Sequence, residues 1–409
     1  MKKLIILIQV TLFFLTFTCA YSQWYPQTSG TTSQLLGVSF TDANTGTVVG
    51  YGSPNTILRT TNGGTNWTPQ TSGTTSTLRE VSFTDANTGT VVGHGGTILR
   101  TTNGGANWTS QTSGTTEHLY GVSFTDANTG TVVGGYLIGI ILRTTNGGTN
   151  WTPQTSGTTN DLYDVSFTSA DTGTAVGWAG TILRTTNGGT NWTTQTSGTT
   201  ELLYSVSFTN ANTGTVVGDI ILRTTNGGTN WTSQTSGTTN GLWDVSFTAA
   251  NNGTAVGYVG TILRTTNGGT NWTSQSSVAI HALCGVSFTS ADTGTAVGST
   301  GLILRTTNGG VSFVNQVSSE FPERFSLYQN YPNPFNPATN IKFDIQKTSL
   351  TKLVIYDALG REIATLVNEE LKAGSYEASW DGSNYPSGVY FYRLVTGDFV
   401  AVKKMLLIK

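Results

Sequence analysis

The strongest constraint on the fold is a short phrase that the sequence repeats seven times. The six residues RTTNGG begin at the following positions: Arg59, Arg100, Arg143, Arg184, Arg223, Arg264 and Arg305. Successive copies are spaced by 41, 43, 41, 39, 41 and 41 residues. A second marker, Val-Ser-Phe, recurs with the same period from Val38 to Val286. Repeats of about 40 residues are typical of four-stranded propeller blades and of helical arrays.

The amino-acid sequence within each unit favours strands over helices. In the first unit, the segments LLGVSFT, GTVVG, TILRTT and NWTPQTS are separated by DANTG, a variable loop and NGG. β-Branched residues fill these segments, and turn residues follow every 8–12 residues or so, which excludes helical repeats. The Asn-Gly pair accepts the positive φ angles of a tight hairpin. The sequence therefore predicts an all-β fold whose main part is a seven-bladed β-propeller.

The last strand of each unit is predicted to lie at the outer edge of its blade. Pro69 and Pro153 lie in this strand, and proline cannot donate a ladder hydrogen bond. The segment WYPQTSGTT, which begins at Trp24, repeats the outer-strand text ahead of the first unit. We expect it to supply or reinforce the outer strand of the last blade and so to close the ring, although VSFVN at Val311 is an alternative outer strand. A tryptophan opens the outer strand in six units and is expected to be buried, whereas the seventh unit has Phe313; the six are Trp67, Trp108, Trp151, Trp192, Trp231 and Trp272.

The pattern Thr60-x-Asn62-x-Gly64-x-x-Trp67 resembles the Asp-box of sialidase-type propellers, with Asn in place of the usual Asp. The whole unit is more similar to the propeller family of photosystem II stability and assembly factors and their bacterial relatives, from residue 24 to about 316. The resemblance implies the fold and no catalysis, because the Asp-box of sialidases is a structural hairpin. We expect the repeated arginine to pack its stem along the third strand and to pair locally. A ring of guanidinium groups that binds an anionic partner is the alternative.

Charge and cysteine content exclude several classes of function. The net charge is −2 and charged residues make up 10% of the chain, which gives no case for binding nucleic acid or an anionic membrane. Lys2 and Lys3, an apolar run from Leu4 to Phe17 and the small residues near Ser22 predict a signal peptide over residues 1–22. The residues before Cys19 form a poor lipobox. Without the signal peptide only Cys284 remains, which excludes an intramolecular disulfide and a thiolate metal cluster.

The C-terminal part has a different composition. There is no lysine between Lys3 and Lys342, whereas seven lie from Lys342 to the end. The sequence from about Arg324 predicts a small antiparallel sandwich. This part resembles the sorting domain of the type IX (Por) secretion system, through these residues: Tyr331, Pro332, Asn333, Pro334, Phe335, Gly388, Tyr390 and Lys404. The resemblance implies the type IX machinery as a partner, passage across the outer membrane, cleavage of the sorting domain, and a product attached to the surface or released. An immunoglobulin-like binding module is the alternative.

The predicted organisation has four parts. A signal peptide covers residues 1–22, the propeller 23–316, a linker 317–324 and the sorting domain 325–409. The family resemblance alone does not imply a photosynthetic role for this chain. Export to the outside of the cell is incompatible with such a role.

A candidate site is predicted where the copies differ. The seven units vary in the approach to Val-Ser-Phe and in the loop after the second strand, and in a propeller these two loops emerge on the same face. Aromatic rings with a few carboxylates around a channel mouth suit sugar or peptide binding. Packing in the upper channel is the alternative role for the same residues. The candidates are Arg79, Glu80, His94, Tyr120, Tyr163, Asp164, Trp178, Tyr204, Trp243, Asp244 and Tyr258.

The chemistry of an enzyme or a metal site is less well supported. A sialidase needs three converging arginines, but outside the repeated position the propeller has only Arg79. The three candidate carboxylates could serve another hydrolase or lyase, for which their separation is decisive. The three histidines, His94, His118 and His281, lie in different units without metal-ligand spacing. The stretch that begins at Asp42 faintly resembles a calcium loop, yet its equivalents begin with Ser169, Asn210, Ala249 and Ser290, which favours an Asx-type turn.

The sequence thus predicts an exported, surface-displayed propeller that acts as a binding or adhesion module for a glycan or protein ligand, without a cofactor. Two alternatives stay open at this point. One is a polysaccharide-active hydrolase or lyase that uses the candidate carboxylates, and the other is a structural component of a surface layer or assembly.

Overall fold

The structure is a computed structural model that describes residues 24–52, 56–275, 277–310, 314–318, 320–382 and 385–409. In these residues the chain forms nine antiparallel four-stranded sheets and four short 3-10 helices. Seven sheets come from the repeats and are blades 1 to 7, whereas the other two come from the C-terminal part. The predicted signal peptide and the Cys19 lipobox lie outside the described residues.

Each blade consists of four strands, A to D, in sheet order. Strand A contains Val-Ser-Phe and spans Leu35–Phe40, Leu78–Phe83, Leu119–Phe124, Leu162–Phe167, Leu203–Phe208, Leu242–Phe247 and Leu283–Phe288. Strand B spans Gly46–Gly50, Gly89–Gly93, Gly130–Gly134, Gly173–Gly177, Gly214–Gly218, Gly253–Gly257 and Gly294–Gly298. Strand C spans Ile57–Thr60, Ile98–Thr101, Ile140–Thr144, Ile182–Thr185, Ile221–Thr224, Ile262–Thr265 and Ile303–Thr306. Strand D spans Thr68–Gln70, Thr109–Gln111, Thr152–Gln154, Thr193–Thr194, Thr232–Gln234 and Thr273–Ser274, and in blade 7 it is Tyr25–Gln27.

The A strands form a closed ring at the centre of the molecule. Each A strand contacts the A strands of both neighbouring blades, and the strand of blade 7 contacts that of blade 1. At every joint, the backbone N–H of the Phe in one A strand donates to the Ser hydroxyl of the preceding blade, as from Phe83 to Ser39 over 3.2 Å. These bonds satisfy N–H groups at the inner edge of the sheet. The predicted all-β fold with a seven-bladed propeller is confirmed.

The ring closes through the N-terminal segment, as the repeated outer-strand text predicts. Strand Tyr25–Gln27 pairs antiparallel with Ile303–Thr306 and forms the outer strand of blade 7. Trp24 is completely buried, and its ring meets that of Phe288 edge-to-face at 5.6 Å. Phe313 and most of the alternative strand at Val311 lie outside the described residues. The described segment Val314–Ser318 pairs with Gly374–Asp381 in the C-terminal part.

The repeated Asp-box hairpin is held by its own side chains. In blade 1, Thr60 Oγ1 accepts from the Gly64 N–H over 2.9 Å, and Asn62 Oδ1 accepts from the Asn66 N–H over 3.0 Å. Trp67 packs edge-to-face against Phe40 at 6.0 Å, within the same blade. The other five Asp-box tryptophans make the equivalent aromatic contact. The phrase is therefore scaffold, as the sequence predicts.

A glutamine from the preceding blade locks each hairpin. Gln27 Oε1 accepts from the Trp67 indole N–H over 3.2 Å, and Gln27 Nε2 donates to the Gly63 carbonyl over 2.7 Å. A Cβ atom on Gly64 would lie 1.9 Å from Gln27 Oε1, so this position requires glycine. In blade 7, Trp24 donates to Gln275 Oε1 over 2.8 Å, which gives the N-terminal tryptophan the role that the other six hold in blades 1 to 6.

The repeated arginine also joins neighbouring blades. Arg59 is buried, and it donates to Thr47 Oγ1 in its own blade and to the Ala86 carbonyl in the next. Its guanidinium lies 4.8 Å from the ring centre of Phe83, also in the next blade. The six equivalents repeat these contacts around the ring. The structural interpretation of these arginines is supported, because buried guanidinium groups with three partners do not present a cationic ring to solvent.

The apolar cores lie between the blades. One cluster combines Leu35, Val48 and Trp67 of blade 1 with Val297 and Ile303 of blade 7. The other clusters repeat this arrangement, so the closed ring is needed to bury the apolar face of every blade.

Six of the seven A–B turns are closed by an Asp, Asn or Ser side chain, whereas in blade 6 the Asn252 N–H donates to the Ala249 carbonyl over 3.2 Å. Asp42 Oδ1 accepts from the N–H groups of Asn44 and Thr45 over 2.7 and 3.0 Å. The Ser169 hydroxyl accepts the equivalent pair in blade 4. A neutral hydroxyl replaces the carboxylate without loss of the turn, as the interpretation as an Asx turn predicts. In the described part of the chain, no cluster of three or more metal-ligating side chains is present.

The C-terminal part is a sandwich of two sheets. One has the strand order Val314–Ser318, Gly374–Asp381, Ala338–Ile345 and Ser326–Leu327, and the other has the order Glu362–Leu371, Ser349–Tyr356, Gly388–Thr396 and Phe399–Leu407. The two inner faces meet in one core that includes the buried rings of Phe343, Tyr376, Trp380 and Tyr392.

The Pro-rich motif is attached to the last strand. The Phe335 N–H donates to the Leu406 carbonyl, and the Ile408 N–H donates to the Phe335 carbonyl, both over 3.0 Å. Asn333 Oδ1 accepts from the Leu406 N–H over 3.0 Å. Phe335 is buried against Trp380, whereas the side chain of Tyr331 is exposed.

Candidate ligand-binding cavity on the ring axis

A cavity of about 460 Å³ lies on the axis of the propeller. It is lined by the residue two positions before the Val of Val-Ser-Phe in every blade, namely Leu36, Arg79, Tyr120, Tyr163, Tyr204, Trp243 and Cys284. The residue one position before this Val also lines the cavity in four blades, as Glu80, Asp164, Ser205 and Asp244. His94, His118, Tyr136 and Asp161 complete the lining. All seven blades therefore contribute to one cavity.

A β-bulge allows two consecutive residues to face this cavity. In a regular strand, neighbours point to opposite faces. In blade 4, the A–B register shifts between Leu162 and Asp164, so that Tyr163 is the extra residue of the bulge. The same shift occurs in the other six blades. A bulge re-aims a side chain, which is how blades 4, 5 and 6 each present an aromatic and a polar group to the cavity.

The aromatic side chains form an arc over four consecutive blades. The ring centres of Tyr120 and Tyr163 are 5.7 Å apart, those of Tyr163 and Tyr204 are also 5.7 Å apart, and those of Tyr204 and Trp243 are 6.3 Å apart. Tyr258, from the loop after strand B of blade 6, meets the Trp243 ring edge-to-face at 5.0 Å. Burial raises the pKa of Tyr163 and of Tyr204 to about 12, so both phenols stay neutral at physiological pH.

The carboxylates alternate with small residues around the ring. Acidic residues stand in blades 2, 4 and 6, and small residues stand in blades 1, 3, 5 and 7: Gly37, Gly121, Ser205 and Gly285. The reason is steric as well as electrostatic. A Cβ atom on Gly37 would lie 2.9 Å from Glu80 Oε1, and one on Gly121 would lie 3.1 Å from Asp164 Oδ1. Gly37 and Gly121 thus leave room for the backbone and the carboxylate of the following blade.

Backbone N–H groups hold two of these carboxylates in place. Asp164 accepts from Val165 in its own blade and from Val206 in the next, over 2.7 and 2.8 Å. Asp244 accepts from Val245 and Val286, both over 2.7 Å. The Ser205 hydroxyl lies 3.0 Å from Asp164 Oδ2 and 2.7 Å from Asp244 Oδ1, so it bridges the two groups.

Burial and mutual repulsion favour the protonated form of these acids. Burial and the charge of Asp244 raise the pKa of Asp164 to about 7. Burial likewise raises the pKa of Asp244 to about 6, against the lowering effect of its hydrogen bonds. The pKa of Glu80 is raised well above its usual range by burial first and then by Asp244. When one of the bridged carboxyls is protonated, it can donate to Ser205, whose hydroxyl then donates to the other.

Basic side chains occupy the sector of blades 2 and 3. The Arg79 guanidinium lies 5.3 Å from the ring centre of Tyr120. His94 and His118 stack at 4.1 Å, and His118 Nδ1 accepts from the Gly95 N–H over 3.2 Å. Burial and the neighbouring His118 and Arg79 lower the pKa of His94 to about 4, so this imidazole is neutral at physiological pH.

The structure brings nine of the eleven candidate residues together in the cavity lining. Trp178 and Tyr258 lie outside the lining: Trp178 is 51% exposed in the blade 4 loop, and Tyr258 meets the Trp243 ring of the cavity wall. Six further residues line the cavity without being among the candidates: Leu36, His118, Tyr136, Asp161, Ser205 and Cys284. His118 and Asp161 stand four positions before the Val in blades 3 and 4, within the variable approach, and this spacing is a signal that could have identified them.

Four overlapping stretches of the chain match one family model, described as photosynthesis system II assembly factor YCF48: residues 17–110, 70–157, 150–237 and 231–324. The chain belongs to the YCF48 family. Residues 329–409 match a second model, the secretion system C-terminal sorting domain, which lies within the predicted region 325–409. The other predicted domain boundaries stay predictions. A search of curated proteins gives no match.

Solved structures of the YCF48 family share the fold. YCF48 from Cyanidioschyzon merolae is 22% identical, with a TM-score of 0.58 over 69% of this chain and 98% of that one. A structure of YCF48 bound to D1 peptide is 23% identical, with a TM-score of 0.60 over 70% and 98%. PorZ, an essential surface component of the type IX secretion system of Porphyromonas gingivalis, is 11% identical, with a TM-score of 0.52 over 91% of this chain and 59% of PorZ.

The sorting domain determines the destination of this YCF48-family protein. The chain is exported by the type IX secretion system to the cell surface or the extracellular space, and its C-terminal domain interacts with that machinery. Among the described residues, no helix has the length and apolar composition of a membrane span.

Proposed function

We propose that the propeller is a binding or adhesion module that captures a glycan or protein ligand in the axial cavity outside the cell. The observation that carries this proposal is convergence: the variable positions of all seven blades line one cavity, whereas the repeated positions are used in the scaffold. Aromatic walls with a few polar groups are typical of ligand sites. The peptide-bound YCF48 structure supports a propeller of this family as a peptide receptor.

Binding without turnover is favoured over hydrolysis. Backbone N–H groups and the Ser205 hydroxyl already occupy oxygens of Asp164 and Asp244. A carboxylate committed to the main chain of its own ring is poorly placed to attack a substrate or to move a proton to it. The two carboxyl groups are better understood as part of the wall that faces a ligand.

The test is a binding screen of the full exported chain on glycan and peptide arrays. The Tyr163→Ala/Tyr204→Ala variant removes two rings from the cavity wall, and Trp178→Ala is the matched control because that aromatic side chain is exposed outside the lining. Selective binding that is lost in the double variant and kept in the control would support the proposal. Binding that survives the double variant would place the ligand elsewhere. Release of sugar or peptide products, abolished by Asp244→Asn, would instead support an enzyme.

A further inference from the structure

We propose that the part of the cavity formed by blades 4, 5 and 6 binds a positively charged alkylammonium group. This inference rests on the proposed function and narrows the ligand to one chemical class. The wall of this sector consists of the rings of Tyr163, Tyr204 and Trp243, and the carboxyl groups of Asp164 and Asp244 line the same space. Aromatic faces combined with acidic groups are the chemistry that recognises quaternary ammonium and lysine-type cations.

The charge of the lining favours a cation over an anion. Four carboxyl groups, those of Glu80, Asp161, Asp164 and Asp244, face the cavity, whereas Arg79 is the only arginine or lysine in the lining. Arg79 stands beside Glu80 in the sequence and lies on the far side of the aromatic arc, against Tyr120. An anionic ligand in blades 4 to 6 would therefore meet two bridged carboxyl groups without a neighbouring guanidinium.

The protein itself provides a precedent for this contact. The Arg79 guanidinium already lies over the Tyr120 ring, so the first ring of the arc holds a cation of the chain's own. The following rings, from Tyr163 to Trp243, continue the arc without such a cation among the described contacts of the cavity. The sector of blades 4 to 6 has aromatic rings whose neighbouring centres lie 5.7 and 6.3 Å apart, and it holds three of the four carboxyl groups in the lining, those of Asp161, Asp164 and Asp244.

The raised pKa values of Asp164 and Asp244 agree with a binding site for a positive charge beside them. Burial raises the pKa of Asp164 to about 7 and that of Asp244 to about 6, and the charge of Asp244 adds to the rise for Asp164. A cation between the aromatic wall and these groups would offset both effects and favour the ionised pair. The Ser205 hydroxyl, which accepts or donates as needed, can follow that change without movement of the backbone.

Isothermal titration of the full chain with choline and with 3,3-dimethyl-1-butanol tests the inference. The two probes share a shape, but only choline carries the positive charge. We expect choline to bind at least about tenfold more tightly, in line with a cation–aromatic contact in a partly desolvated site. Asp164→Asn/Asp244→Asn should remove this preference, and Tyr204→Leu offers a second variant that keeps both carboxyl groups. Trp178→Ala should change neither affinity.

The outcomes separate this inference from the proposed function. Equal binding of both probes, lost in Tyr204→Leu, would overturn the charge requirement and leave the cavity as a binding site. Cavity-dependent binding on the arrays with no binding of choline, lysine amide or glucosamine would also overturn it. If the cations bind, lysine amide against acetyl-lysine and glucosamine against N-acetylglucosamine distinguish a protein source from a glycan source. Failure on arrays and with every cation would overturn both proposals.

Discussion

Closure of the ring by the N-terminus gives the sharpest stability prediction. Trp24 is completely buried, meets Phe288 edge-to-face and donates to Gln275. Burying an indole of roughly 150–250 Å² at about 25 cal/mol per Å² gives about 4–6 kcal/mol of gross stabilisation. An alanine keeps a small part of this area, so Trp24→Ala should lower the free energy of unfolding by about 3–5 kcal/mol.

Trp67→Ala is the matched control, because Trp67 makes the same two contacts in blade 1, with Phe40 and Gln27. Urea unfolding followed by tryptophan fluorescence, with calorimetry as a second readout, should give similar losses for the two variants. For a propeller of more than about 250 residues, a loss of 3 kcal/mol corresponds to a decrease in Tm of about 5 °C. An unchanged Trp24→Ala protein beside a destabilised Trp67→Ala protein would refute N-terminal closure. Deletion of residues 24–32 should then also be harmless.

Three further predictions concern the scaffold and the cavity. Arg100→Lys should cost about 2 kcal/mol of unfolding free energy in urea titrations, because one ammonium cannot keep both the bond to Thr90 and the bond to the next blade; a change below about 0.5 kcal/mol would contradict this role. Gly64→Ala should cost more than about 2 kcal/mol, because its Cβ atom would collide with the preceding blade, whereas Gly73→Ala, with positive φ but open space, should cost only about 1 kcal/mol; equal losses would refute the steric argument. Because the pKa of Asp164 rises from 3.8 unfolded to about 7 folded, the folded chain holds a proton that the unfolded chain has lost, and stability should fall as pH rises from about 4 to 7. Asp164→Asn should flatten this part of a Tm profile, and an unchanged slope would contradict the raised pKa.

The repeats allowed most of the propeller to be predicted, because identical sequence segments must occupy equivalent positions in the blades. The number of blades and the strand order followed from counting copies, whereas the choice between the segments at Trp24 and Val311 for closure was decided by the pairing of Tyr25–Gln27 with Ile303–Thr306. The partners of the repeated side chains did not follow from counting, since periodicity gives no information about which neighbouring blade a residue contacts. Gln27 is an example: it locks the hairpin of the next blade, 36 residues along the chain from its carbonyl partner Gly63.

The cavity was predictable in its location and less so in its chemistry. Variation between copies identified residues such as Tyr163 and Asp164, but a regular strand would have pointed these neighbours to opposite faces. The bulge that brings them together has no distinctive residue in the sequence. The bridge of Ser205 between Asp164 and Asp244 depends on distances across three blades, which a linear pattern does not contain.

The alternation of acidic and small residues around the cavity is interrupted once, because the number of blades is odd. A ring of seven cannot alternate completely, so two small residues must be neighbours somewhere. They are Gly285 and Gly37, and they meet where the last blade joins the first; a Cβ atom on Gly285 would lie 2.7 Å from the Leu36 carbonyl. The odd blade number therefore gives a nearly symmetric ring one sector without a carboxylate. A ligand bound on the axis, as proposed, would encounter a directional field, and seven similar units would provide one orientation for it in place of seven equivalent ones.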